Sequence, residues 1–378
     1  MQKLDLVIDL GTSFLKIIAF FPEGKGLRVF KFSKVDYNPI FLKDLEKKVK
    51  KLISDLKGRY DFGSLLIGAG EGIGKGKIEK GNFLRKFPLV PLREEELKES
   101  IKNIQKKSLS EVERTSRRKK FFLVLAKIEN VSIDGRKVSW PVGLTGRSIS
   151  FKIINFYLPL ELYQSLNKIF HSFNIERFFF EYIPEILPDF LSDYTGKDRS
   201  ELGRIGSKIK FFIDIGGKNS QVLVLDNGEV EKITEITLGG NDFLRGIQNG
   251  LKVTPEEIFF KVVRERIEFE IKKTNISYSN QQRIIQEILE TESQKWLEEL
   301  MPILEEYRRE KSPFEIYFFG GGSNFLLLDK INKELARKSF SCIIKKISPV
   351  NLKGVFNFTE DDLQMTIPLL VCKTLLRK

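Results

Sequence analysis

The sequence predicts an α/β fold in which two similar lobes follow one another along the chain. Two segments, 6–19 and 211–224, share one pattern: an apolar run, Asp-x-Gly, a small polar turn and a second apolar run. This pattern is typical of a β-hairpin that carries a carboxylate at the end of its first strand. Strand-like and helix-like stretches alternate behind each hairpin, which indicates a duplicated α/β unit with a ligand cleft between the copies.

The turns of the two hairpins contain the residue types of a phosphate site. Glycine lets main-chain N–H groups approach an anion closely, and two facing turns could hold a polyphosphate from both sides. The aspartates, Asp9 and Asp214, would then organise a hydrated Mg²⁺. A third signal is the strand-like run from Ile316, which leads into the triple glycine Gly320–Gly322.

Two Asp-hairpins followed by a triple-glycine loop, in that order, resemble the actin-like ATPase superfamily. A single Asp-x-Gly turn is common in proteins, whereas the ordered set of three is specific. The alternative is an α/β protein with glycine-rich strand ends and no ligand.

Residues 1–82 and 158–195 are predicted to form the core of the first lobe, subdomain 1A. Apolar residues recur at helical spacing from Leu42 to Leu56, and a strand follows at 65–67. The stretch 70–76 has the glycines of a phosphate loop, but no helix opens after it, so a flexible connection is predicted instead. A helix at 159–173, a short strand at 178–181 and a helix broken by Pro184 and Pro188 complete the lobe.

Residues 83–157 are predicted to be an inserted subdomain, 1C. A helix with three glutamates in its first turn begins near Leu92, and a basic run follows at 114–120. The segments Ile128–Gly135 and Trp140–Lys152, together with 238–242 and 254–257, resemble the bacterial cell-division protein family FtsA. The similarity consists of short collinear motifs that cover essentially the whole chain.

The second lobe is predicted to begin after a polar link at 195–207. Residues 196–253 and 313–378 would form its core, subdomain 2A, and residues 254–312, dominated by helical periodicity, a helical subdomain, 2B. The stretch Thr366–Leu376 is apolar enough to anchor a peptide but is predicted to be the buried last helix.

Composition excludes several classes of function. The 378 residues include 64 Lys and Arg against 51 Asp and Glu, a net charge of +13, yet no nucleic-acid-binding module is apparent and no nucleic-acid partner is expected. Two cysteines and one histidine exclude a disulfide framework, a Ser-His-Asp triad and a histidine-based zinc site. Because the N-terminus is strand-like and no apolar run is long enough to span a bilayer, a cytoplasmic location is expected.

The resemblance to FtsA implies two cofactors, ATP and Mg²⁺, and assigns residues to each. It implies that the phosphates contact Gly11, Thr12, Ser13, Lys16, Gly216, Gly217 and Asn219. It implies that adenosine lies against Gly320, Gly321, Gly322 and Ser323, with help from Gly239, Gly240, Asn241, Glu257 and Lys261. Asp9 and Asp214 would face Mg²⁺ through water. Together with Glu185, for which Glu181 is the alternative, they are the candidate catalytic residues.

Two departures from the family pattern predict slow hydrolysis. Lys218 stands where a third glycine is common, and Gln221 stands where relatives often carry Asp or His. Nucleotide binding with slow turnover is therefore expected.

The same resemblance implies a cell-division adaptor at the inner face of the cell membrane. Such a protein binds the C-terminal peptide of an FtsZ-like partner, self-associates into filaments and recruits other division proteins. Its membrane contact would be indirect or through a tail absent from this chain. Two alternatives stay open: a PilM-like pilus-assembly scaffold of the same fold, and a small-molecule kinase of the superfamily.

Overall fold

A computed structural model of the protein describes residues 3–23, 26–36, 42–57, 60–116, 119–187, 209–252, 280–308, 313–347, 356–357 and 371. The strands are β1 (Leu4–Leu10), β2 (Phe14–Glu23), β3 (Gly26–Asp36), β4 (Phe62–Ala69), β5 (Lys75–Leu84), β6 (Phe121–Ile133), β7 (Arg136–Lys137), β8 (Ser148–Pro159), β9 (Phe178–Tyr182), β10 (Ile209–Ile215), β11 (Ser220–Asp226), β12 (Glu229–Ile236), β13 (Phe314–Phe319), β14 (Cys342–Lys346) and β15 (Phe356–Asn357). The helices are α1 (Leu42–Lys57), α2 (Glu94–Thr115), α3 (Leu160–Ser172), α4 (Gly240–Leu251), α5 (Asn280–Glu306) and α6 (Leu328–Arg337). Residues 183–187 are also helical, and Gly321–Asn324 forms a 3₁₀ turn.

Apart from β15, two of the sheets have the same strand order. The first sheet runs β15-β3-β2-β1-β4-β9 and the second β12-β11-β10-β13-β14. In each, a three-stranded antiparallel meander is followed by two parallel strands, so β1 and β10 occupy equivalent central positions. The duplicated α/β architecture predicted from the sequence is therefore confirmed.

The register of the two hairpins is also equivalent. Asp9 of β1 lies opposite Lys16 of β2, and Asp214 of β10 lies opposite Gln221 of β11. Each carboxylate thus stands near the C-terminal end of a central buried strand, which is where ligands bind in open α/β sheets.

The insert consists of a third sheet, ordered β5-β8-β6-β7, with α2 packed against it. Its small core contains Leu92, Leu97, Val131, Ile149 and Ile153. The alternation of buried and partly buried residues along β8 ends after Phe151, because the strand continues from the insert into the core of the first lobe.

The main hydrophobic core joins the two lobes. It contains buried apolar residues of β1, β4 and α1 together with Phe212, Leu223 and Tyr317 of the second sheet. Val371 belongs to the same core and packs on Gly68, while β15 extends the first sheet beside β3. Residues 313–378 were predicted to belong to the second lobe, whereas Val371 and β15 contact the first lobe. Local sequence contains no signal for which sheet a short strand joins.

The second lobe has its own core around Trp296 of α5. This indole is fully buried, donates a hydrogen bond to Ser220 Oγ (2.9 Å) and lies edge-on to Phe318. Of the helical subdomain predicted at 254–312, residues 280–306 form α5, which packs on α4, and 254–279 lie outside the described residues.

Within the described part of the chain, none of the helices combines the length and the apolar character that crossing a membrane requires.

Candidate functional site

The turns of the two hairpins have the same geometry. The Gly11 N–H donates to Phe14 O (3.1 Å), and the Gly216 N–H donates to Asn219 O (3.0 Å). A Cβ atom built on either glycine would lie 2.9 Å from the same carbonyl oxygen, closer than real Cβ atoms approach. Both turns therefore require glycine.

The two turns contact each other across the lobes. The Lys218 N–H donates to Thr12 Oγ1 (3.1 Å), and Asn241 Nδ2 donates to Ser13 Oγ (2.9 Å). A Cβ built on Gly217 would lie 2.0 Å from Ser13 Oγ. Helix α4 begins beside this contact, since the Asn241 N–H donates to Gly217 O (2.8 Å).

The triple-glycine loop closes the third side. Gly320 has φ of 82°, a value that favours glycine, and a Cβ built there would lie 2.1 Å from Asp214 Oδ1. The Ser323 side chain is buried and donates to Gly320 O (2.7 Å), which fixes the 3₁₀ turn that follows β13. Backbone thus approaches the carboxylate directly, with no side chain between them.

These three loops surround a cleft of about 890 Å³, part of it open to solvent. The predicted site residues that line it are Asp9, Gly11, Thr12, Ser13, Lys16, Asp214, Gly216, Gly217, Asn219, Gly240, Asn241, Gly320, Gly321 and Gly322. Gly239 and Ser323 lie directly behind this lining, in hydrogen bonds to Asp242 Oδ2 and Gly320 O respectively. Glu257 and Lys261 lie outside the described residues.

The two aspartates of the cleft have different electrostatic environments. Asp9 forms an ion pair with Lys16, whose Nζ lies 2.6 Å from Asp9 Oδ2. In the second hairpin, the residue opposite Asp214 is Gln221, so this hairpin has no lysine at the position equivalent to Lys16. Burial raises the pKa of Asp214 to about 7; the charge of Lys16 opposes this rise and the charge of Asp9 adds to it.

The structure places the two candidate water-polarising residues away from the cleft lining. The Glu185 carboxylate accepts a hydrogen bond from Lys127 of β6, and Glu181 is buried on β9 beside Gly68. The carboxylate that does line the cleft is that of Glu71.

No protein-family model and no curated protein matches the chain. Among solved structures, a PilM-PilN type IV pilus biogenesis complex is similar over 99% of this chain and 97% of that chain, at 15% identity and a TM-score of 0.57. The chain has the actin-like ATPase fold.

An archaeal actin homologue, Ta0583, and the MreB5 protein of Spiroplasma citri bound to ADP are also similar. They share 12% identity each, cover 99% and 98% of this chain and 100% and 95% of their own, and have TM-scores of 0.45 and 0.44, values too low to add to the argument. None of these similarities singles out the FtsA family from other proteins of this fold.

The sequence did not lead us to predict that the loop after β4 lines this actin-like cleft. Gly70, Glu71 and Gly72 line the cleft, although the sequence was interpreted there as a flexible connection. The Glu71 carboxylate accepts hydrogen bonds from the Gly76 N–H (2.6 Å) and the Tyr182 hydroxyl, and burial raises its pKa. The position of the loop in the chain could have indicated this role, because the loop directly follows β4, the strand that pairs with β1.

The residues of the cleft fit a nucleotide and a hydrated magnesium ion. Glycines and small hydroxyl side chains form the turns, where they would give phosphate oxygens access to main-chain N–H groups. Mg²⁺ typically binds one or two carboxylates plus phosphate oxygens and retains several waters, which suits Asp9 and Asp214. Among the described residues, no cluster of three or more His, Cys, Asp or Glu could hold a metal by itself, so the phosphates would have to supply ligands.

Proposed function

We propose that the protein binds ATP with Mg²⁺ in the cleft between its lobes. The observation that carries this proposal is the pair of geometrically equivalent glycine turns that face each other beside the triple-glycine loop. The turn residues Gly11, Thr12, Ser13, Lys16, Gly216, Gly217 and Asn219 would contact the phosphates. Adenosine would lie against the triple-glycine loop and the start of α4, and Asp9 and Asp214 would hold the hydrated ion.

Calorimetric titration with ATP, in Mg²⁺ and in EDTA, tests this proposal. The wild-type protein should bind ATP more tightly with Mg²⁺, and Asp214→Asn should lose that gain while it still binds the metal-free nucleotide. Asp55→Asn, at an exposed carboxyl on α1, is the matched control and should behave as wild type. Absence of ATP binding in the wild type would overturn the proposal. A Mg²⁺ effect that survives in Asp214→Asn would reject the assignment of the metal.

We further propose that ATP serves as a conformational ligand and is hydrolysed slowly. Glu71 in the cleft is already held by Tyr182 and the Gly76 N–H, and Glu185 contacts the insert instead of the cleft. Turnover well below the ~10 s⁻¹ of a typical enzyme is expected. A rate of several per second would favour the small-molecule kinase alternative.

The proposed role is a nucleotide-dependent scaffold that holds a partner protein, and two partners fit. The motifs of the sequence support an FtsA-like division adaptor, with an FtsZ-type tail, filaments and the inner face of the cell membrane at the division site. The fold similarity to a PilM-PilN complex supports a pilus-assembly scaffold with a PilN-type partner equally well.

A binding assay with both partners separates the two roles. Fluorescently labelled FtsZ tail peptide and a PilN-type protein would each be titrated with the scaffold, with and without ATP·Mg²⁺. Binding of the tail alone would support the division role, and binding of the PilN-type protein alone would support the pilus role. Failure of both, with ATP binding intact, would reject both roles and leave the nucleotide site standing.

A further inference from the structure

Six large apolar side chains are exposed together at one end of the insert. We call them the insert tip: Leu84, Phe87, Leu89, Val90, Trp140 and Leu144. Their exposed fractions are 72%, 61%, 89%, 50%, 53% and 42% respectively. Single exposed apolar residues are normal, but six large ones on two neighbouring segments indicate a surface that binds something.

Main-chain hydrogen bonds hold the two segments of the insert tip together. Gly146 N donates to Pro88 O (2.9 Å), Leu92 N to Leu144 O (2.8 Å) and Gly143 N to Leu92 O (2.9 Å). The segments 84–92 and 140–148 therefore run side by side, and their apolar side chains emerge at the same end of the third sheet.

Side-chain hydrogen bonds hold the base of the insert tip in place. The Arg85 guanidinium binds both carboxylate oxygens of Glu96 (2.9 and 3.1 Å) and also contacts Gly146 O. The Asp134 carboxylate accepts hydrogen bonds from the backbone N–H groups of Arg147 and Ser148, which lowers its pKa. The apolar side chains are thus presented on a preformed surface.

The charge around the insert tip is positive. Lys86, Arg93, Arg136 and Arg147 are exposed, and Lys86 Nζ lies 5.5 Å from the centre of the Phe87 ring. Two of the nearby acidic residues are paired with basic ones, Glu96 with Arg85 and Glu94 with Lys98. Asp134 and Glu95 are the acidic residues that remain to offset the four basic side chains. A modest excess of positive charge therefore surrounds the apolar group, on a chain whose net charge is +13.

We propose that the insert tip docks the protein onto an anionic membrane surface. The apolar side chains protrude, since a leucine that is 89% exposed has no neighbouring wall that could form a groove for a peptide. A lipid interface accepts protruding aliphatic side chains, accommodates Trp and Phe at the level of the headgroups and attracts Lys and Arg. The proposal does not depend on nucleotide binding.

The tryptophans of the chain give a direct test. Of the two, Trp296 is fully buried and Trp140 is exposed, so a change in emission on addition of vesicles reports Trp140. The full chain without nucleotide would be mixed with vesicles of phosphatidylcholine, or of an equimolar mixture with phosphatidylglycerol. The emission of Trp140 should shift to the blue and should be quenched by brominated acyl chains. Binding to the anionic vesicles should be roughly tenfold tighter than binding to the neutral ones. Trp140→Phe should remove the optical signal.

Variants locate the contact. Phe87→Ser with Leu89→Ser should fold as wild type, because both side chains are exposed, and should bind vesicles at least about tenfold more weakly. Ile343→Ser, which removes a side chain 51% exposed on β14 of the second lobe, is the matched control and should bind normally. Lys119→Glu with Lys120→Glu tests the basic run outside the insert tip and should have little effect.

Several outcomes would overturn the proposal. Vesicle binding without quenching of Trp140, or binding unchanged in the Phe87→Ser, Leu89→Ser protein, would place the contact elsewhere. If vesicles do not bind but the same substitutions convert a dimer to a monomer in analytical ultracentrifugation, the insert tip is a surface between copies of the chain. Absence of both vesicle binding and self-association would leave the insert tip without the proposed role, whatever the ATP titrations show.

Discussion

At the scale of single residues, the cleft depends on glycines whose missing side chains make room for something else. Gly320 has a positive φ, and a Cβ atom built there would lie 2.1 Å from Asp214 Oδ1 and 2.7 Å from the Ile215 carbonyl oxygen. Gly135, in the turn between β6 and β7, has a similar φ of 78° and nothing within 4 Å of the position where a Cβ would lie. A comparison of the two glycines therefore separates the energetic cost of backbone strain from the cost of a steric clash.

We predict that Gly320→Ala is much more destabilising than Gly135→Ala. The second substitution adds only left-handed strain, about 1 kcal/mol, whereas the first adds a clash with a carboxylate and a backbone carbonyl, for a total on the order of 3 kcal/mol or more. Urea denaturation of both variants measures the difference. Equal losses would show that the loop around Gly320 relaxes freely.

The raised pKa of Asp214 predicts a pH dependence of stability. Its folded-state pKa of about 7 lies above the ordinary 3.8, so between about pH 4 and pH 7 the folded protein holds a proton that the unfolded chain has released. Stability should therefore fall as the pH rises through this window. Relative to wild type, Asp214→Asn should gain up to about 4 kcal/mol between pH 4 and pH 8, measured by urea denaturation. Asp55→Asn should show no such gain.

At the scale of elements, a row of charges joins the insert to the edge strand of the second sheet. Glu229, Glu231 and Glu235 of β12 face lysines of β5, β7 and β8. Lys152 is the buried member: its Nζ donates to Val230 O (2.8 Å) and lies 3.6 Å from Glu231 Oε2. Lys80 meets the same glutamate at 3.0 Å but is mostly exposed.

We predict that Lys152→Met costs about 1–3 kcal/mol, because it leaves a buried carbonyl oxygen without its donor. Lys80→Met removes an exposed partner of Glu231 and should cost less than about 0.5 kcal/mol. Denaturation midpoints with matched m-values measure both changes. A larger loss for Lys80→Met would mean that charge, and not burial, governs this contact.

At the scale of the whole molecule, the lobes meet where the phosphates would lie. The hydrogen bonds from Lys218 N to Thr12 and from Asn241 to Ser13 span the gap between the two turns. Phosphates that enter between the turns would have to replace these bonds with their own, so nucleotide binding should require the turns to separate.

A reversible cross-link tests this separation. A Cβ built on Gly217 lies 2.5 Å from Ser13 Cβ, so Ser13→Cys with Gly217→Cys should form a disulfide after a small shift of the turns. We predict that the oxidised protein loses ATP binding and that dithiothreitol restores it, as followed by calorimetry. The wild type treated with the same oxidant controls for the native thiols. Full affinity in the oxidised protein would show that nucleotide enters without separation of the lobes.

The sequence by itself determined the α/β class, the duplication and the positions of the turn residues, because hairpins and glycine turns are encoded by local pattern. Asp9, Asp214 and the glycines that follow them could be read in this way. Only the tertiary structure decided that Glu185 contacts Lys127 while Glu71 lines the cleft, and that β15 joins the first sheet. It also decided that six apolar residues of the insert meet at one end. These outcomes depend on contacts between segments distant along the chain, and the free energy of such contacts comes from packing and burial, which no short stretch of sequence specifies.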